Sequence, residues 1–437
     1  MQANMRRVYD PLYGVISLTA LEYQIITSPE IQRLRYVRMC NINSLLVTGA
    51  SEISRFEHII GVLRLAKEWL QKNGRDLPLA KQTEFCAAAL LHDFQTGPFG
   101  HSMQYVLEDN DSDENFIHDN ISHGSYLKFH QSTDASASFC GRPFRCEELL
   151  GDSWKNVADL IKGNGSLGQL ISGTIDIDNI DNVIRLAYHA GAAKSEDANI
   201  AIRLARDIIP KKNALEVSVE SIELLEKWQK IRKRLYELLL LDWAEFSAKA
   251  MLTKAMEAAI DYKMLGTDSW LRTDLELFYH LEKSSIGDAQ EVGDLIKRIR
   301  CGDLYHPVYL GMSTSTNKYE IFSNIQSKRG IEKKLIKEIN DKLNIKVSLI
   351  IHPILDRKKT ERAINVIIRE TQERVTVGLD SNKLLMGIFV SRAIESEEKQ
   401  KNLQWIIVDF LKGEGLEGLT DIEDPMKHTH DMQMELL

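Results

Sequence analysis

Cysteine is scarce in this sequence: five in 437 residues, Cys40, Cys86, Cys140, Cys146 and Cys301, scattered, odd in number and without CxxC spacing. That argues against a disulfide framework or a thiolate metal site and fits reduced thiols. Long apolar runs are missing as well. No stretch of 18 apolar residues occurs, and the opening "MQANMRRVYDPLYG" has no apolar leader segment, so the expectation is a soluble, unprocessed cytoplasmic protein that does not enter a membrane. Basic charge is not in excess: 55 Lys and Arg against 63 Asp and Glu give a formal net charge of -8, so nucleic acid is not indicated as a partner. Neither a Walker loop, nor GxGxxG, nor a repeat of 20 to 50 residues is present.

What is present is helical periodicity. From about residue 18 to 285, segments such as "FEHIIGVLRLAKEWLQ", "EFCAAALLHDF" and "IDNVIRLAYHA" place apolar residues three and four apart. The stretch from about 221 to 262 reads as one long helix. The composition turns polar and aperiodic between 109 and 147, which predicts a loop-rich insertion. Further on, "KVSLIIHPIL", "RAINVIIRE", "RVTVGL" and "LLMGIFVSR" are strand-like, flanked by the helical "EKKLIKEINDKL" and "EEKQKNLQWIIVDFLKGEG". The expected fold is mainly α, a multi-helix bundle over residues 1–310 with a smaller C-terminal α+β lobe over 311–420 and a flexible tail over 421–437.

Three helical stretches carry ligand-grade residues: His58 in "SRFEHIIGV", His92 and Asp93 in "LLHDF", and Asp176, Asp178 and Asp181 in "IDIDNIDNVIRLAYHAG". Taken singly, His58 fits a hydrogen-bonded core residue and Asp178 a helix cap. The adjacent His92 and Asp93 at the end of "AAALL" are harder to place without an ion, because burying each unpaired would cost roughly 2 kcal/mol or more. Two imidazoles and two carboxylates delivered by three helices would suit Mn, Fe, Co, Ni or Zn, or Mg if carboxylate and water dominate.

The order H…HD…D, carried by "SRFEH", "LLHD" and "GPFGHS", resembles the HD-domain phosphohydrolases, and within them the deoxynucleoside triphosphate triphosphohydrolases. "YDPLYGVISLTALEYQIITSPEIQRLRYVR" and "DIDNIDNVIRLAYHAG" are similar to two further signatures of that branch, so the resemblance covers about residues 8 to 310. It implies an HD-domain bundle holding a divalent metal ion on His58, His92, Asp93 and Asp178, with Asp176 and Asp181 structural. It further implies water attack on the α-phosphate of a nucleotide, giving nucleoside and tripolyphosphate. His101 matches the histidine that protonates the leaving oxygen, and His118, beside Asp119, a second active-site histidine, with His123 a competing match. Arg55 corresponds to an arginine that meets the nucleotide, although one helix turn from a ligand histidine it could equally be an ion-pair partner. Assembly as a tetramer or hexamer, nucleotide effectors and a role in antiviral defence or precursor balance belong to the same resemblance.

The sequence departs from the family at Met39, Thr96, Gln104, Asn179, Asn182 and Leu186, positions that commonly carry substrate-facing glutamine, histidine, acid, lysine, tyrosine or aspartate. Asn182 thus stands among the expected substrate-binding residues as an amide. Two functions follow. One is metal-dependent hydrolysis of a (deoxy)nucleoside triphosphate; the other is a nucleotide-sensing or regulatory protein that keeps the metal pocket and turns over weakly or conditionally.

Overall fold

The computed structural model describes residues 6–40, 52–108, 138–211, 214–265, 267–356, 358–394 and 396–422. Within them helices dominate and a smaller α+β lobe follows, as the periodicity predicts. The Arg55–Asn73 helix runs through the middle of the body. Ile59, Ile60, Val62, Leu63, Leu65 and Ala66 are buried around nearly its whole circumference, so it is a core helix rather than one with a wet face. It packs against Leu79–Leu91, Ile177–His189 and Ala198–Asp207. Gly74 ends it, returning its N–H to the Leu70 carbonyl at 2.9 Å.

The segment expected as one long helix is two, Glu220–Leu241 and Trp243–Asp261. Asp242 makes the break. Its backbone is extended, and its Oδ1 accepts from the N–H groups of Ala244 and Glu245 at 3.0 Å, capping the second helix. An apolar stripe continues across such a break, so periodicity alone does not reveal it.

In the lobe, β7 (His306–Ser313), β8 (Leu349–Leu355), β11 (Leu384–Val390) and β12 (Thr420–Asp421) form an antiparallel sheet in the order β12-β7-β11-β8. Successive side chains point to opposite faces. Leu349, Ile351, Leu384, Met386 and Ile388 pack on the lobe's own core under the helices Ile325–Leu343 and Glu397–Gly413; Ile350, Ile354, Leu385 and Phe389 join the core of the helical body. Burial on both faces is why these strands read as continuous apolar runs. β7 lacks that signal because Pro307 and Gly311 interrupt it.

Body and lobe also share a second sheet. Short strands β5 (Ile209–Lys211) and β6 (Ala214–Val217) from the body line up with β9 (Ile364–Ile368) and β10 (Arg374–Val377), order β10-β9-β6-β5, with β6 and β9 parallel. Two hairpins complete the strands: β1 (Arg7–Asp10) with β2 (Gly14–Ser17), and β3 (Ser138–Phe139) with β4 (Arg142–Pro143). The latter falls at the end of the expected polar insertion, most of which, 109–137, lies outside the described residues, as does most of the expected tail. No helix among the described residues is long and apolar enough to cross a membrane.

The seam between body and lobe is aromatic and ionic. The Phe246 ring meets Phe389 at 5.6 Å and His352 at 5.8 Å, both edge-on, and Lys328 pairs with Glu257 in full burial. This seam brings the segment between β8 and β9 to the rim of a cavity in the helical body.

Candidate metal centre

Three helices deliver their polar side chains to one point. His58 comes from the first turn of Arg55–Asn73, His92 caps the C-terminus of Leu79–Leu91 with Asp93 directly after it, and Asp178 lies in the first turn of Ile177–His189. Ligand atoms of His58, His92 and Asp93 all lie within 4.8 Å of one another. Asp178 Oδ1 adjoins them, 2.8 Å from His58 Nε2 and 3.6 Å from His92 Nε2. The cap of this last helix is Asp176, not Asp178: its carboxylate accepts from the Asn179 and Gly173 N–H groups at 2.7 Å each.

Each donor is held from behind. His92 Nδ1 lies 3.0 Å from the Ala89 carbonyl, and His58 Nδ1 2.8 Å from Asp181 Oδ2, so both rings turn Nε2 to the same place, 3.3 Å apart. Asp93 Oδ1 accepts from Thr96 Oγ1 at 2.9 Å, and Oδ2 from Arg55 Nη1 at 2.6 Å. Asp181 is itself gripped by Arg185, whose Nε and Nη2 donate to it at 2.9 and 3.0 Å; the same guanidinium reaches Asp10 in the β1–β2 hairpin and Glu57. With Asp181 and Arg185 fully buried, this relay fixes the His58 ring, as carboxylate partners do for ligating histidines. Arg33, also fully buried, fixes the loop after Asp93 by donating to the carbonyls of Phe94 and Thr96 at 2.9 and 2.7 Å.

The electrostatics fit a cation. Burial opposes charge on His58, yet its hydrogen bonds to Asp178 and Asp181 outweigh burial and raise its pKa. Asp93 and Asp178 likewise overcome burial at His92 and hold it up to about 10. Asp178, which burial alone would raise, is held well below the usual carboxylate range by His92 and His58. Two neighbouring imidazoles that both draw protons mark a concentration of negative charge, and a divalent ion in place of those protons would satisfy it while removing the repulsion between the rings. The two nitrogens and the carboxylate oxygens of Asp93 and Asp178 are a mixed donor set suited to such an ion.

The centre opens onto a cavity of about 490 Å³, within the range of small-molecule sites. Arg55 and Asn182 line it; Arg55 Nε and Asn182 Oδ1 are buried there with no hydrogen-bond partner among the described residues. Met39 and Leu186 close one side as part of a small apolar cluster. Asn179 turns its amide onto Asp176, which burial and the Asp178 carboxylate push up to about 7. His101 opens the His101–Glu108 helix; its side chain, like all of His118, Asp119 and His123, lies outside the described residues.

Some participants leave little trace in the sequence. The Asp181–Arg185 pair has the i, i+4 spacing of a helical ion pair, a signal that says nothing of His58. Lys249, Lys359 and Arg362 also line the cavity, and only the run "DRKKTER" hints at them.

No protein-family model matches the chain. It is 26% identical over 277 residues to the uncharacterized protein YwfO of Bacillus subtilis, covering 62% of this chain and 59% of that one. It is 29% identical over 189 residues to the uncharacterized protein MJ1154 of Methanocaldococcus jannaschii, covering 43% and 35%. Over 102 residues it is 39% identical to the deoxynucleoside triphosphate triphosphohydrolase SAMHD1 of Xenopus laevis, 22% of this chain and 16% of that protein. The chain therefore spans about three-fifths or less of the length of these relatives.

Proposed function

We propose that this protein is a metal-dependent phosphohydrolase of the HD type that cleaves a (deoxy)nucleoside triphosphate to nucleoside and tripolyphosphate. The observation that carries the reading is the convergence of His58, His92, Asp93 and Asp178, from three helices, at the edge of a nucleotide-sized cavity. The match to SAMHD1, a deoxynucleoside triphosphate triphosphohydrolase by name, supports the same chemistry. A divalent ion held there supplies Lewis acidity toward a phosphoryl oxygen and lowers the pKa of water. Asp93 holds its ligand oxygen in place through Thr96 and Arg55. Arg55 lines the cavity with Nε unpartnered among the described residues, which suits contact with a phosphate oxygen or the base. Asn182 offers an amide to the sugar or a phosphate. His101 is the proton donor to the departing 5′-oxygen, and His118 a second acid–base group.

One observation favours the regulatory alternative. The cavity-facing side of the Ile177–His189 helix offers amides and a leucine where a cation would grip triphosphate, and one of those amides is spent on Asp176. A single experiment separates the two. Purified protein is incubated with Mn²⁺ and each nucleotide in turn, and nucleoside and tripolyphosphate are resolved by ion-exchange chromatography. Product formation that disappears in a His92→Ala, Asp93→Ala variant supports hydrolysis; nucleotide and metal binding without product in any mixture selects the sensor. A homo-oligomer with nucleotide at its interfaces is part of the proposal, and light scattering with and without nucleotide tests it.

A further inference from the structure

Away from the metal centre the cavity changes sign. Arg232 enters it from the Glu220–Leu241 helix, Lys249 from the Trp243–Asp261 helix, and Lys359 and Arg362 from the lobe segment between β8 and β9. Two of these groups are cations short of partners, Arg232 buried and Lys249 half-buried. Arg232 is 4% exposed; one nitrogen donates to the Lys358 carbonyl at 3.0 Å, while Nε and Nη1 have no partner among the described residues. Lys249 makes no ion pair among the described residues, and burial together with the Lys359 ammonium pulls it down to about 7 against the attraction of Glu245. Of the nearby carboxylates, Asp380 pairs with Lys358 and Asp356 takes the N–H and hydroxyl of Thr360, which leaves Glu245 as the carboxylate of the cavity wall that attracts Lys249. The cations are nonetheless positioned, with Arg232 4.9 Å over the Tyr236 ring and Lys359 5.2 Å over that of Tyr105. Aromatic faces orient the charges but do not neutralise them. A set of like charges built from three parts of the chain into one concave surface is unfavourable until an anion enters, and an anion with several charged oxygens satisfies several of them at once.

We propose that Arg232, Lys249, Lys359 and Arg362 form a polyanion seat that receives the phosphate chain of the substrate, so that the C-terminal lobe supplies a wall of the active site. The inference rests on reading the cavity as a phosphohydrolase site and adds to that reading the side chains that hold the phosphate chain. It also explains how amides can stand at positions 179 and 182: the cations come from elsewhere in the chain.

The test is calorimetric titration of the full chain with inorganic tripolyphosphate and with orthophosphate, without added metal. Tripolyphosphate is expected to bind at least about tenfold more tightly than orthophosphate, and a Lys359→Gln, Arg362→Gln variant to lose at least about tenfold in tripolyphosphate affinity. These two residues lie in a partly exposed segment, and an unchanged melting temperature and Mn²⁺ stoichiometry verify that the variant is folded with its metal centre intact. Arg232→Gln is expected to act in the same direction. Undetectable binding to the parent chain, or equal affinity in parent and variants, overturns the seat. Binding that these substitutions weaken, in a protein that yields no product from any nucleotide, instead overturns the hydrolase reading and leaves the seat standing. Hydrolysis with KM unchanged in the double variant does the reverse.

Discussion

Behind His58, the Asp181 carboxylate and Arg185 guanidinium pass so close to Gly61 that a β-carbon there would lie 2.1 Å from Arg185 Nη2 and 2.2 Å from Asp181 Oδ1. Glycine is needed at this point for space, since the backbone is ordinary helix. The pair cannot retreat, because Arg185 is fully buried and also holds Asp10 and Glu57. Gly61→Ala is therefore expected to displace the carboxylate that orients His58, costing on the order of 1 to 3 kcal/mol as an overpacked core does. It should also weaken metal binding by about 10- to 100-fold, the usual consequence of losing the group behind a ligating histidine. Thermal unfolding and Mn²⁺ titration read the two effects; a variant with the parent's melting temperature and affinity would show that the pair has room to move.

At the scale of elements, joints are made by single carboxylates. Asp207 closes the Ala198–Asp207 helix. It takes the Ser218 N–H at 2.6 Å and the Ser221 hydroxyl at 2.7 Å at the start of the Glu220–Leu241 helix, and Arg369 at the end of β9 at 3.1 Å. Burial would raise this carboxyl, but those donors hold it at about 2, against an ordinary value of 3.8. A folded-state pKa below the unfolded one adds stability that is complete above the unfolded value and lost as pH falls through the folded one. Melting temperature should therefore drop between about pH 4 and pH 2 more steeply in the parent than in Asp207→Asn, whose amide does not titrate. Parallel pH profiles for the two would refute the assignment.

In the whole molecule, body and lobe are joined through shared side chains as well as shared strands. Phe389 belongs to a lobe strand yet is buried against Phe246 in the body's core. Phe389→Ala should cost about 3 to 5 kcal/mol, the range for a large aromatic truncated in a core. Because the contact spans both parts, calorimetry should show one transition shifted downward for the molecule as a unit. A separate low-temperature transition of the lobe, with the remainder unmoved, would contradict this coupling.

Much of this architecture is local and therefore visible in the linear order. Three-and-four spacing marks the helices because a helix buries one stripe per turn, and the apolar runs after residue 345 mark strands buried on both faces. His92 and Asp93 stand out because adjacent ionisable groups at the buried end of an apolar helix need a partner. The break at Asp242 and the short strands β5 and β6 are weaker: a cap hides within a continuous stripe, and three or four residues carry too little pattern. What tertiary structure alone decided is which distant groups meet. Asp181 against His58, Arg33 on the loop after Asp93, and Arg232 on the lobe carbonyl of Lys358 are contacts across 61 to 126 positions. Their energy depends on separation in space, to which distance along the chain gives no guide.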